Sequence, residues 1–447
     1  MNIEINSLTQ QTTNDMHENT EIKLPDIYYD NRSGCYWVTN DREDWIRFNE
    51  SSVKRLLKSH GISSECGRME RLSPLDDKIL KIQTTNDICY AAPLAGHRKG
   101  IYSFNGERVL VIDSPNIIEP KEGEYPLLDA IFDGLFNHPL IDQRPYLYGW
   151  LKICYECVST GTNRPGQALV VAGPANSGKS LIQNLITEIL GGRSAKPYRY
   201  MSGKTEFNSE LFQAEHLMIE DDIASTDLRT RRNFGTNIKQ VTVNVVQSCH
   251  PKGHPAISLK PFWRTTITLN DEPENLLILP PFDESVSDKI ILLKAAKKPL
   301  PLTINTLEER KAFRINLSSE LPAFLHFLTK WEIPSELRCE RFGIKHYHHP
   351  ELVKELEILS PENYLLELID IVIFKTKFPK ELYWNGTARE LEEILKSSSV
   401  KIEVERILTF QNAMGSYLGR LQMKFPSRVK ASRTSETRSW VLTAPVK

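Results

Sequence analysis

No apolar run in this chain of 447 residues approaches the ~20 residues that a membrane-spanning helix needs, so no membrane partner is expected. The polar start Met1-Asn-Ile-Glu-Ile-Asn has neither the basic nor the apolar region of a signal peptide, and the expectation is a cytoplasmic protein. Cysteine is scarce as well: seven residues, an odd number scattered along the chain, make no disulfide framework. The one C-x-x-C pair, Cys154 and Cys157, falls in a stretch that reads as a helix, and without a second pair to complete a zinc set we read packed thiols. Net charge is missing too. At −1 the overall field attracts no polyanion, so any nucleic-acid contact has to come from local patches. Nor does a paired-aspartate polymerase motif stand between Met1 and Trp150, which argues against primer synthesis by this chain.

What is present is ordinary globular composition, 40 % hydrophobic and 25 % charged, in a length that suggests roughly two to four domains. The organising stretch is Gln167-Ala-Leu-Val-Val-Ala-Gly-Pro-Ala-Asn-Ser-Gly-Lys-Ser180. An apolar run enters Gly173, and Leu181 onward takes up helical spacing: strand, glycine loop, helix, the context of a P-loop. Backbone N–H groups wrap a phosphate where side chains are absent, so Gly173, Pro174, Ala175, Asn176, Ser177, Gly178, Lys179 and Ser180 are the candidate ATP-binding residues. Lys179 reaches the β and γ phosphates, and the Ser180 hydroxyl takes a place on Mg²⁺.

The second signal is His216-Leu-Met-Ile-Glu-Asp-Asp222, an apolar strand ending in acids, where a P-loop ATPase needs carboxylates. We assign Glu220 to the metal and Asp221 to the attacking water, with Asp222 a substitute. The third is Trp263-Arg-Thr-Thr-Ile-Thr-Leu-Asn270, a strand closing on an amide that can sense the γ-phosphate. Between them Val241-Thr-Val-Asn-Val-Val246 and Ala256-Ile-Ser-Leu259 read as β-rich runs around a loop with His250, Lys252, Gly253 and His254, a hairpin with a cationic tip. Upstream, Arg229, Arg231 and Arg232 crowd one segment. Asn105-Gly106 between two β-rich runs predicts another hairpin. His346, His348 and His349 read as loop residues, because no acid or cysteine set completes a metal site.

In the last quarter, a helix opened by Ser360-Pro361, a helix capped by Asn385-Gly-Thr387, a third over about Gln411 to Met423 and a terminal pair of strands follow the winged-helix order. From residue 407 on, Arg420, Lys424, Arg428, Lys430, Arg433, Arg438 and Lys447 face only Glu436, an imbalance that suggests phosphate-backbone binding without base reading.

Taken together, Gly-Lys-Ser in the P-loop, a strand ending in adjacent acids, a hairpin with Lys and His at its tip and a strand ending in Asn resemble the superfamily 3 helicases of DNA viruses, closest to the helicase part of phage and mobile-element primase-helicases. That resemblance implies an α/β fold: an AAA+ P-loop ATPase core with an N-terminal α/β region and a C-terminal winged-helix domain. It implies an ATP-dependent replicative DNA helicase that uses ATP and Mg²⁺, assembles as a homo-oligomeric, hexameric ring and pulls single-stranded DNA past Lys252 and His254, with His250 as the rival to His254. A separate primase or polymerase would be its partner. Where related helicases often carry an arginine finger, this chain has Asp288-Lys289, so Lys289, Arg229, Arg231 or Arg232 would act on the adjacent subunit's nucleotide. The expected organisation is a flexible arm over 1–24, an accessory region over 25–140, the ATPase core over 141–300, a helical connector over 301–358 and the winged helix over 359–447. The alternative is an AAA+ switch, a replication initiator or immune sensor, that binds DNA or a partner without processive unwinding.

Overall fold

The computed structural model describes residues 24–445 apart from 140, 221–227, 281, 283–284, 300, 303, 359 and 434–437, and Leu228, Arg229, Arg231, Arg232, Glu274, Glu357, Ile358 and Arg433 by their backbone alone. Asp221, Asp222, Glu436 and Lys447 thus lie outside the described residues. The chain divides into two compact units. One holds residues up to Ala92 together with Lys99–Ile112, the other Pro93–Arg98 and everything from Asp113 on.

In the first unit the turn chemistry sets the strands. The Asp30 carboxylate accepts from the N–H groups of Arg32 and Ser33 at 3.0 and 3.1 Å, and the chain reverses so that Ile27–Asp30 pairs antiparallel with Cys35–Thr39. Asn105 and Gly106 both take positive φ, 51° and 85°, the backbone that a two-residue hairpin needs, and join Gly100–Phe104 to Glu107–Val111. Tyr36, Val53, Leu57 and Ile79 close a small core.

The second unit is built on an all-parallel five-stranded sheet in the order Ser194–Ala195, His216–Ile219, Arg264–Leu269, Ala168–Ala172, Ile290–Lys294. Ala168–Ala172 is buried at every position, which accounts for its unbroken apolar run: a strand covered on both faces has no polar side. Helix Lys179–Ile189 leaves its end, and helices Pro126–Phe136, Arg144–Thr160 and Leu307–Lys330 share a core through Phe132, Tyr148 and Phe324. Cys154 and Cys157 are buried free thiols in that second helix, and burial pushes the Cys154 thiol up to about 12.

Two sequence expectations change. Val241-Thr-Val243 is not strand but the end of the helix Leu228–Val243. Val241 and Thr242 are buried there, the Thr242 hydroxyl bonds back to Ile238 O at 2.7 Å, and packing outweighs the β-propensity of the run. The hairpin is correspondingly shorter, Gln247–Cys249 against Ile257–Leu259. In the C-terminal region the expected two strands are three. Tyr383–Thr387 joins Arg438–Thr443, which pairs on with Val429–Arg433, antiparallel throughout. Gly386 lies within that strand, opposite Trp440, and a Cβ there would meet the Trp384 ring at 2.6 Å, which accounts for glycine at this position. Thr387 then makes a capping box with Glu390 for helix Ala388–Lys396, and Leu391, Leu418 and Trp440 lie in the core beneath.

Candidate functional site

The loop between Ala172 and Lys179 has the backbone its residue types suggest. Asn176 and Gly178 take positive φ, 60° and 103°, turning the chain so that the N-terminus of helix Lys179–Ile189 faces the loop. Gly173 has a different reason to be glycine: a Cβ would lie 2.5 Å from Ala295 O, at the end of the neighbouring strand. The Ser177 hydroxyl is buried without a hydrogen-bond partner, a polar atom that a phosphate oxygen would satisfy, and the donor set thus fits the group that the resemblance implies. Ser180, at the second helical position, is exposed.

Sheet order brings the second and third motifs to this loop. Val171 pairs with Thr268 and Ala172 with Leu269, so Gly173 and Asn270 leave the sheet side by side. Lys179 is buried, and its Nζ donates to Asn270 Oδ1 at 2.9 Å and to the carbonyls of Gly173 and Pro174 at 2.6 and 2.8 Å. On the far side of the Asn270 strand, Ile219 pairs with Ile267, which sets Glu220 level with Thr268 at the same end of the sheet. Glu220 Oε2 accepts from Lys196 Nζ at 2.6 Å, a contact that the sequence did not reveal. Lys179 and Asn270 are therefore in contact and Glu220 stands at the same end of the sheet, while Asp221 follows Glu220 outside the described residues.

The hairpin tip exposes Lys252 and His254, with His250 half-buried at its base. Asn208 pins that base: its Oδ1 accepts from His250 N at 2.7 Å and its Nδ2 donates to Ser248 O at 2.9 Å. Phe207 next to it is 43 % exposed, and its ring centroid lies 5.5 Å from that of His250. Sequence reasoning missed Phe207; the available signal was a lone large aromatic in a polar loop.

Lys289 does not have the placement of a residue that reaches out. It is 9 % exposed, and its Nζ donates to Asp288 Oδ1 at 2.6 Å. The other oxygen of Asp288 accepts from Arg341 at 3.3 Å, and the Arg341 guanidinium, half-exposed, also lies over the Phe342 ring. The C-terminal basic set is partly neutralised. Arg428 makes a two-pronged pair with Asp370, at 3.1 and 2.5 Å, and Lys424 and Arg420 lie 3.4 and 3.9 Å from the buried Glu362. The charge count from residue 407 on missed these acids because they stand upstream. Lys430 and Arg438 are exposed, Arg438 over the Trp440 ring at 4.4 Å.

His348 stacks on Phe282 and its Nε2 lies 3.2 Å from Ile290 O, while His349 is buried beside His138. Burial lowers the pKa of both His348 and His349. Among the described residues no group of three or more His, Cys, Asp or Glu could hold a metal.

No protein-family model and no curated protein sequence matches this chain. Among solved structures, the apo A form of the NrS-1 C-terminal region aligns over 94 % of this chain and 96 % of its own at 11 % identity, with a TM-score of 0.52. A second apo structure of that region, residues 305–718, gives the same coverage and score at 13 % identity. A JCV helicase aligns over 52 % of this chain at 14 % identity with a TM-score of 0.24, and the likeness in fold rests on the first two. This chain therefore has the mixed α/β fold of the NrS-1 C-terminal region along nearly its whole length.

Proposed function

We propose that this protein is an ATP-hydrolysing motor of the helicase type that moves on single-stranded DNA during replication of a phage or mobile element. The observation that carries the reading is the hydrogen bond from Lys179 Nζ to Asn270 Oδ1 at 2.9 Å, which joins the phosphate-binding lysine to the amide of the third motif. Lys179 and the loop N–H groups bind the β and γ phosphates, Ser180 and Glu220 hold Mg²⁺, Asp221 orients the attacking water, and Asn270 exchanges Lys179 for the γ-phosphate as ATP enters. Bound Mg²⁺ supplies neutralising charge to the phosphate oxygens. Lys252 and His254 grip the DNA backbone, and Phe207 offers a flat face to a base. Subunits form a ring, hexameric in the resembled family, in which a cation from one subunit completes the neighbour's site. For that role Arg341 joins Arg229, Arg231 and Arg232, since its planar guanidinium suits a phosphoryl group better than the buried Lys289 ammonium. An AAA+ core, a winged helix and a separate primase or polymerase partner belong to the same reading.

The second reading is an ATP-dependent switch that assembles on DNA or a partner without strand separation. It is favoured by the pairing of Arg420, Lys424 and Arg428 with Glu362 and Asp370, which leaves fewer basic groups for DNA. A forked-duplex assay with purified protein, ATP and Mg²⁺ decides. Strand separation supports the motor, whereas nucleotide-dependent oligomers that leave the fork intact support the switch.

A further inference from the structure

We infer that Gln183 is a positioning residue that locks the phosphate-binding lysine, the acid-ended strand and the sensor strand into one register for hydrolysis. The inference rests on the proposed ATPase reading of the site. Gln183 stands one helical turn beyond Lys179, on the same face, and is 1 % exposed. Its Nε2 donates to Thr266 Oγ1 at 2.9 Å and to Ile219 O at 3.2 Å, and its Oε1 accepts from Thr268 Oγ1 at 3.2 Å. Ile219 immediately precedes Glu220. Thr268 lies two residues before Asn270, so both side chains leave the strand on the same face. One amide thus spans from the Lys179 helix to both strands whose ends carry the candidate chemistry.

The seam continues a turn further. Thr187 Oγ1 lies 2.7 Å from His216 Nδ1, and His216 Nε2 lies 2.8 Å from Thr266 Oγ1. Lys179, Gln183 and Thr187, four residues apart in succession, form a polar stripe on a helix whose other buried residues, Ile182, Leu185, Ile186 and Ile189, are apolar. A leucine at 183 would fill the space but leave the Ile219 carbonyl and the Thr268 hydroxyl without this partner. Directional bonds fix the helix against sliding along the sheet, and a displacement of about 1 Å at a reacting centre costs on the order of 100-fold in rate.

The test is Gln183→Met, which keeps length and volume and removes the side-chain hydrogen bonds to Ile219, Thr266 and Thr268. In the folded variant, kcat for ATP hydrolysis is expected to fall ~10- to 100-fold while ATP affinity stays within ~3-fold, the signature of lost positioning and not of lost binding. Thr268→Val, which deletes one partner hydroxyl, should lower kcat in the same direction, and the double variant should cost no more than Gln183→Met alone. Should Gln183→Met not fold, the kcat of Thr268→Val decides. A kcat within ~2-fold of the parent, or kcat and affinity falling in parallel, overturns the inference. Lys179→Ala run alongside separates the two levels: if it keeps hydrolysis, the ATPase reading itself fails, whereas Lys179-dependent hydrolysis that is indifferent to Gln183 removes only the positioning role.

Discussion

Lys179 and Asn270 stand 91 residues apart in the chain and share a 2.9 Å hydrogen bond, because the strand ending at Leu269 lies between the P-loop strand and the acid-ended strand in the sheet. On the proposed reading the amide holds the ammonium in place until a phosphate takes over. Lys179→Ala should abolish ATP hydrolysis. Asn270→Ala should lower kcat by ~100- to 1,000-fold, the loss typical of one preorganised polar group at a reacting centre. Steady-state ATPase rates measure both, and an Asn270→Ala enzyme as fast as the parent removes Asn270 from the site.

For the hairpin, the joint replacement of Lys252 and His254 by Ala should abolish strand displacement and the stimulation of hydrolysis by single-stranded DNA. Phe207→Ala should weaken binding of an oligothymidine by ~1–3 kcal/mol, the worth of one base–aromatic stack. Fluorescence anisotropy reads the affinity, and unchanged binding by both variants would place the DNA elsewhere.

Arg428 and Asp370 are respectively 21 % and 16 % exposed, so this pair is shielded from solvent more than an ordinary surface ion pair. Arg428→Ala leaves Asp370 without its two-pronged partner and should cost ~2–3 kcal/mol of stability, somewhat under the figure for a fully buried pair. DNA affinity should hardly move. The exposed pair Lys430 and Arg438 should behave in the opposite way: replacing both by Ala lowers DNA affinity in a salt-dependent manner and leaves the melting temperature nearly unchanged. A thermal melt beside a salt titration distinguishes the two sets.

Acid should destabilise the fold. His216 is buried between two threonine hydroxyls, and desolvation pushes its pKa down to about 3; burial also lowers His97, His348 and His349. A depressed folded pKa means that the unfolded chain takes up the proton first. The stability from His216 is thus complete above its ordinary value of 6.5 and is lost as pH falls towards the folded value, by up to ~1.4 kcal/mol per pH unit. Melting temperatures at pH 7, 6 and 5 should fall in that order, and His216→Gln should make the decline shallower. A flat profile would contradict the buried neutral imidazole.

Sequence alone determined the local parts. An apolar run into Gly173 makes a strand and a loop, Asn105-Gly106 makes a two-residue hairpin, and Ser360 and Thr387 start helices, since each depends on neighbours a few residues away. It also marked Lys179, Glu220 and Asn270 as candidates, from residue type and from their positions after a glycine loop and at strand ends. Only the tertiary structure decided which of them meet. Strand order placed Asn270 against Lys179, the Gln183 amide across two strands, and Lys196 on Glu220. It also turned Val241-Thr-Val243 into helix and set Glu362 and Asp370 against basic residues that had looked unopposed. Each of these depends on packing between segments far apart in the chain, and neither helical nor strand periodicity carries that information. Buried polar partners and ion pairs are chosen by what the folded sheet brings within about 3 Å of them.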